Sequence, residues 1–111
     1  MIVTTLAEVP GKKITKVLGL ARGNTIRARH IGKDIMAGLR GVVGGEVSEY
    51  TKLFAESREQ ALDRMVEEAE SLGADAVLGV RFATSMVMSA AAELMVYGTA
   101  VVLEDEASGD R

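Results

Sequence analysis

The chain lacks cysteine and has a single histidine, and these two shortages exclude most metal and thiol chemistry. Without cysteine there can be no disulfide, thiolate zinc site, iron–sulfur cluster or cysteine nucleophile. His30 alone cannot form a multi-histidine cage. Tryptophan is absent and aromatic residues make up only 4%, so the core must be built from Val, Leu, Ile, Met and Ala. We therefore expect no cofactor, and nothing in the sequence supports an enzyme.

Long hydrophobic runs are also missing, which argues against a membrane protein. Mean hydropathy is +0.17, and the N-terminus has neither a basic segment before an apolar stretch nor a small-residue cleavage site, so we expect a cytoplasmic protein. With 111 residues, 48% of them hydrophobic and 26% charged, the chain has the size and composition of one globular domain. We predict a single domain over residues 1–104 and a flexible acidic tail over residues 105–111.

The net charge of −3 is unevenly distributed along the chain. Residues 1–45 contain eight Lys and Arg against two acids, whereas residues 46–111 contain five against fourteen. Such a split favours attraction within or between subunits. Nucleic-acid binding is not expected, because the basic half lacks aromatic residues for stacking and the sequence pI is about 5.2. The basic residues concerned are Arg22, Arg27, Arg29, Lys33 and Arg40.

Hydrophobic periodicity predicts an α+β protein. A short strand is expected at residues 2–4, a long strand bulged at its glycines over 14–29, a short helix over 31–40, a long helix over 49–72, and strands over 74–85 and 93–104. We expect Ser48 to be the N-cap of the long helix and Gly73 to end it in a left-handed conformation.

The last predicted strand is apolar on both faces. Leu94, Val96 and Ala100 alternate with Val101 and Leu103, among others. One long helix covers only one face, so we expect a second subunit to cover the other. The sequence therefore predicts a homo-oligomer.

A glycine-rich turn before the long helix is the candidate anion site. Arg40 supplies positive charge, Gly44 and Gly45 allow close backbone approach, and Ser48 lies where the helix begins with unpaired N–H groups. The turn matches neither the dinucleotide fingerprint nor the P-loop. The alternative, which we favour, is a tight turn that requires positive φ.

Metal sites are not predicted. His30 and Asp34 are four residues apart, but two ligands do not make a site. Met86, Met88 and Met95 could offer thioethers to Cu(I), but methionines at alternating strand positions are more often core residues. We interpret the acids at 104–106 as solubilising charge.

Several stretches resemble the YbjQ family, which carries a heavy-metal-binding label. They are MIVTT at the start, VLGLARG, DIMAGLRGVVGGEVSEYTK, EEAESLGADAVLGVRF and MVYGTAVVLE, and together they cover nearly residues 1–104. The resemblance implies a curved antiparallel sheet packed on one long helix, a fold like that of dodecin subunits, and assembly into a ring, specifically a pentamer. It implies no established activity.

Two classes of function follow. The first is a non-enzymatic, ring-forming protein that binds a small ligand or metal at subunit contacts. The second is a scaffold or interaction module whose ring presents a charged face to a partner protein.

Overall fold

The computed structural model describes residues 1–27, 45–88 and 91–106. The predicted short helix over 31–40 lies outside these residues. Within these ranges the chain forms four strands and one helix: β1 (Ile2–Val3), β2 (Lys12–Arg27), α1 (Gly45–Ser71), β3 (Ala76–Met88) and β4 (Ala91–Asp105). The α+β class is therefore confirmed. β4 extends one residue into the segment predicted as a tail.

The four strands form one sheet in the order β1-β3-β4-β2. β4 lies antiparallel between β2 and β3, whereas β1 pairs in parallel with β3. The prediction of a purely antiparallel sheet is thus wrong. Between β1 and its neighbour β3 the chain forms β2 and α1, which together make a long crossover connection. A strand joined to its neighbour by such a long crossover can be parallel to it.

Helix α1 is the element that the sequence predicts best. It begins at Gly45, before the predicted N-cap, so Ser48 lies inside the first turn. At 27 residues it is about 40 Å long. Gly73 follows its end with φ of 86°, and Gly73 N–H donates to the Glu70 carbonyl oxygen at 3.0 Å. The left-handed helix end is therefore confirmed.

The two glycines inside β2 have different roles. Gly19 has φ of 120° and follows a register shift between Val17 and Gly19, so the bulge predicted there is confirmed. Gly23 lies in a regular part of the strand, in register with Val96. A Cβ on Gly23 would overlap the carbonyl oxygen of Ala61. The bulge expected at Gly23 is wrong: this glycine allows the helix backbone to lie directly against the strand.

A bulge in β3 changes which side chains share a face. Simple alternation places Leu78 and Val80 on one face and Val77 on the other. In the structure Gly79 has φ of 62° and the register shifts between Leu78 and Arg81. As a result Val77 and Val80 both join the cluster under the helix, while Leu78 belongs to a cluster on the opposite face. The alternation expected of a regular strand is therefore interrupted at Gly79.

The core has two parts, one on each face of the sheet. The larger part lies under α1 and includes Met65, Val77 and Val96. The smaller part joins Ala76, Leu78 and Val101 to partly buried apolar residues that include Ile2, Val9 and Leu103. Val101 is only 1% exposed, so residues of the N-terminal segment of the same chain already cover this part of β4. The expectation that a second subunit covers Val101 is wrong.

Candidate functional site

The helix-free face of the sheet carries an exposed apolar surface along β2. It consists of Ile14, Val17 and Leu20, and we call it the strand patch. Val17 and Leu20 are the most exposed of the three, at 64% and 56%. Val17 is in register with Val101 and Leu20 with Thr99, so both lie on the face opposite α1. This patch continues the small second core beyond the N-terminal segment.

A second exposed apolar surface lies on the helix side. The chain has two phenylalanines, and both are nearly half exposed, Phe54 at 45% and Phe82 at 46%. Phe82 is in register with Val96, which packs under the helix, whereas Phe54 lies on α1 itself. We call these two residues the phenylalanine patch. Large aromatic side chains are usually buried in a domain core or in an interface.

An open polar cleft of about 560 Å³ lies where β1 and β2 begin and β4 ends. It is lined by Ile2, Lys12, Asp75, Leu103, Glu104 and Asp105. Lys12 Nζ lies 2.7 Å from Asp105 Oδ1. The Asp75 carboxylate accepts the Leu103 N–H at 2.9 Å. The hydrogen bond from Lys12, together with its charge, holds the pKa of Asp105 below its ordinary value. Three of the cleft's charged groups, Lys12, Asp75 and Asp105, are therefore engaged with the chain itself.

Few of the residues predicted to form an anion or metal site lie within the described ranges. Arg40 and Gly44 lie outside the described residues, as do His30 and Asp34. Gly45 is the first residue of α1, and Ser48 lies in the first turn of that helix. The anion site therefore stays a prediction.

The phenylalanine patch was missed by the sequence analysis. Phe54 lies within the helical pattern and Phe82 within the strand pattern, so no signal in the sequence sets them apart from core residues. Burial decides whether such residues belong to the core or to a surface, and burial depends on how far the helix extends over the sheet. That extent follows from tertiary packing.

The donor set is poor in ligands for a soft heavy metal. The whole chain has no cysteine and therefore no thiolate, and methionine thioethers are its only sulfur donors. Among residues 1–27, 45–88 and 91–106 there is no group of three or more His, Asp or Glu that could hold a metal ion. Within the same ranges, no helix is long and apolar enough to cross a membrane.

These features define a small α+β protein with one helix on a mixed four-stranded sheet and exposed apolar surfaces on both sides. The same fold occurs in the crystal structure, at 2.73 Å resolution, of a DUF74-family protein of unknown function from Pediococcus pentosaceus. The TM-score is 0.57 at 18% sequence identity, with 94% of this chain and 98% of that chain covered. The chain belongs to the YbjQ family, whose model is described as "Putative heavy-metal-binding" and matches residues 1–104.

Relatives with much higher identity are UPF0145 proteins. One from Methanosarcina acetivorans is 63% identical over 101 residues, covering 91% of this chain and 95% of the relative. Another, from Thermus thermophilus, is 58% identical over 104 residues, covering 94% and 91%. The family resemblance seen in the sequence is thus confirmed.

Proposed function

We propose that the chain is a non-enzymatic subunit of a homo-oligomeric ring that holds a small ligand where neighbouring subunits meet. The observation that carries this proposal is the presence of two different exposed apolar patches on opposite sides of the sheet. Groups of large apolar side chains that stay exposed mark interaction sites in soluble proteins. A contact between unlike patches is heterologous, and repeated heterologous contacts form a ring when the rotation closes.

The dimensions of the chain support the proposal. Its radius of gyration is 18.3 Å and its extents are 64 × 25 × 16 Å, whereas a compact domain of this length has a radius of gyration of about 13 Å. An elongated subunit leaves more apolar surface exposed than a sphere of equal mass. A neighbouring copy would bury that surface. The family resemblance predicts five subunits.

The ligand is proposed to be small and held by polar groups at these contacts. A soft metal is a poor candidate, because the chain lacks thiolates. The polar cleft beside Lys12 and Asp105 offers charges of both signs at the end of the sheet. A ligand with hydrogen-bonding groups and little net charge suits such a surface better than a soft cation does.

Native mass spectrometry after mild purification tests the proposal directly. We expect one dominant species at a multiple of 11.8 kDa, five-fold for a pentamer, with any retained ligand visible as added mass. Val17→Lys should shift the mass toward the monomer, because a charge in a buried apolar contact is costly. Leu72→Lys places the same charge at an exposed leucine just after α1, and it should leave the mass unchanged. A monomeric wild-type protein would refute the ring.

The second candidate function is an interaction module that presents a charged ring face. One observation favours it: exposed acids crowd α1. They are Glu56, Glu59, Asp63, Glu67 and Glu70. Affinity capture under mild conditions separates the two candidates. A ligand-binding ring should show thermal stabilisation in a small-molecule screen, whereas a module should instead retain a basic partner protein that is lost at high salt.

A further inference from the structure

Two side chains of α1 bind backbone groups of β2 that do not face β4. Glu68 Oε1 accepts the Arg22 N–H at 3.0 Å, and Arg64 Nη1 donates to the Asn24 carbonyl oxygen at 2.6 Å. Residues two apart in a strand direct their N–H and C=O groups to the same edge. Because these groups reach the helix, they belong to the outer edge of β2, where an added strand would otherwise bond.

The spacing of the helix and that of the strand match at this contact. Arg64 and Glu68 are one turn apart and separated by a rise of about 6 Å. Arg22 and Asn24 are separated by about 6.8 Å along the strand. Gly23, between them, has no side chain to hold the helix backbone away. Glu68 and Arg64 can therefore bind the backbone of Arg22 and Asn24 at the same time.

The first half of β2 is protected in another way. The register with β4 shifts between Ile14 and Lys16 and again between Val17 and Gly19. Bulges twist an edge out of the geometry that regular strand addition needs. This half also contains Lys12, Lys13 and Lys16, and lysine is the residue most often used to protect sheet edges. Only the stretch after Gly19 is regular, and Glu68 and Arg64 bind its middle, at Arg22 and Asn24.

A second copy of the chain is the partner against which such protection matters. From Arg81 onward, β3 pairs with β4 alone among residues 1–27, 45–88 and 91–106, so within these ranges each copy also presents a second strand edge. We infer that Glu68 and Arg64 seal the regular part of the β2 edge against strand addition by another copy. Subunits then meet through their apolar patches, and the assembly closes instead of growing into an open sheet. The statement that the assembly closes rests on the proposed ring. The protection of the β2 edge by Glu68 and Arg64 does not, and it is tested separately.

The first test is amide hydrogen exchange, which monitors the seal in any oligomeric state. In Glu68→Ala the Arg22 amide should exchange about ten-fold faster, because it loses a charge-assisted hydrogen bond. Glu68→Gln keeps an acceptor oxygen and should retain most of the protection. Glu67→Ala, on an exposed neighbour in the same helix, is the control and should change nothing. Equal exchange at Arg22 in wild type, Glu68→Ala and Glu68→Gln would overturn the inference.

The second test is the size of the assembly. Sedimentation velocity of the Arg64→Ala/Glu68→Ala double variant should show species larger than the wild-type assembly, increasing with concentration and binding thioflavin T. The paired control Arg58→Ala/Glu67→Ala should sediment as wild type. A double variant that is folded by circular dichroism yet keeps the wild-type size would overturn the inference. If the double variant does not fold, the exchange comparison of Glu68→Ala with Glu68→Gln decides. A monomeric wild-type protein would refute the ring and leave the exchange result to stand by itself.

Discussion

Lys12 and Asp105 are cross-strand partners at the first position of β2 and the last position of β4. Their side chains form an ion pair with 2.7 Å between Nζ and Oδ1. Lys12 belongs to the basic part of the sequence and Asp105 to the acidic part. At least one attraction between the basic and the acidic part of the sequence therefore forms within a single chain.

This pair predicts how stability depends on acid. The hydrogen bond and charge of Lys12 hold the folded-state pKa of Asp105 below its ordinary value. A lowered carboxyl pKa contributes stability above the unfolded pKa, and this contribution is lost as pH falls through the folded pKa. We expect Lys12→Met to raise the Asp105 pKa to its ordinary range, as measured by carboxyl NMR titration. The change in stability should be small and should fade with salt, because the pair is exposed.

Lys16→Met is the control for that titration, since Lys16 is in register with Val102 and not with a carboxylate. It should leave the Asp105 titration unchanged. An Asp105 pKa that is equally low with and without Lys12 would show that the ion pair is not its cause.

Gly23→Ala should be strongly destabilising. The new methyl group would overlap the carbonyl oxygen of Ala61, and neither the helix nor the strand backbone can move without disturbing the core. We expect a loss of about 2 to 3 kcal/mol in the free energy of unfolding, as is typical of overpacked sites. Urea unfolding at fixed protein concentration measures it, with Thr99→Ala at an exposed position of β4 as the control. A loss no greater than that of the control would disprove the close approach of α1.

Thr25→Val should stabilise the protein. Thr25 is 2% exposed, and its hydroxyl has no hydrogen-bond partner in the described part of the chain. An unpaired buried hydroxyl is costly, so an isosteric methyl group should raise the free energy of unfolding by about 1 kcal/mol. Thr15→Val is the matched control, because the Thr15 hydroxyl donates to the Val102 carbonyl oxygen at 3.3 Å. Thermal unfolding should separate the two variants; an equal or larger gain for Thr15→Val would contradict this account.

Soft metals should not bind tightly at one ion per chain. The reason is the absence of thiolates. Calorimetric titration with zinc or cadmium should show no sub-micromolar stoichiometric site, and any weak binding should disappear in His30→Ala. Tight binding that survives His30→Ala would show that donors other than imidazole and thiolate hold the ion, and it would contradict this prediction.

The sequence predicted those parts of the fold that depend on local pattern. The long helix, its end at Gly73 and the bulge at Gly19 all follow from periodicity and from the conformational freedom of glycine. Gly79 and Gly23 show the limit of that reasoning. One is a bulge and the other a close-packing contact, yet in the sequence both are single glycines within strand patterns. Only the neighbouring element, β4 in one case and α1 in the other, decides between the two roles.

The second face of β4 shows a different limit. Its apolar residues correctly predicted that this face is covered. The residues that cover Val101, however, include Ile2 and Val9, nearly a hundred residues earlier in the chain. The segment before Pro10 is short, and its apolar residues follow neither the helical nor the alternating period over enough positions to predict what it covers. The candidate site also depended on which residues cover β4. Because the N-terminal segment covers β4 at Val101, the apolar residues that stay exposed are those of β2 and the two phenylalanines.

The contact between the first residues and the last strand also bears on how the chain is made. Ile2 and Val9 pack against Val101 and Leu103, so β2, α1 and β3 are all synthesised between the two groups of residues that form this core. The second core therefore cannot form until β4 has left the ribosome, and until then the apolar residues of the N-terminal segment are exposed to water or to a chaperone. Contacts this distant in sequence also slow folding.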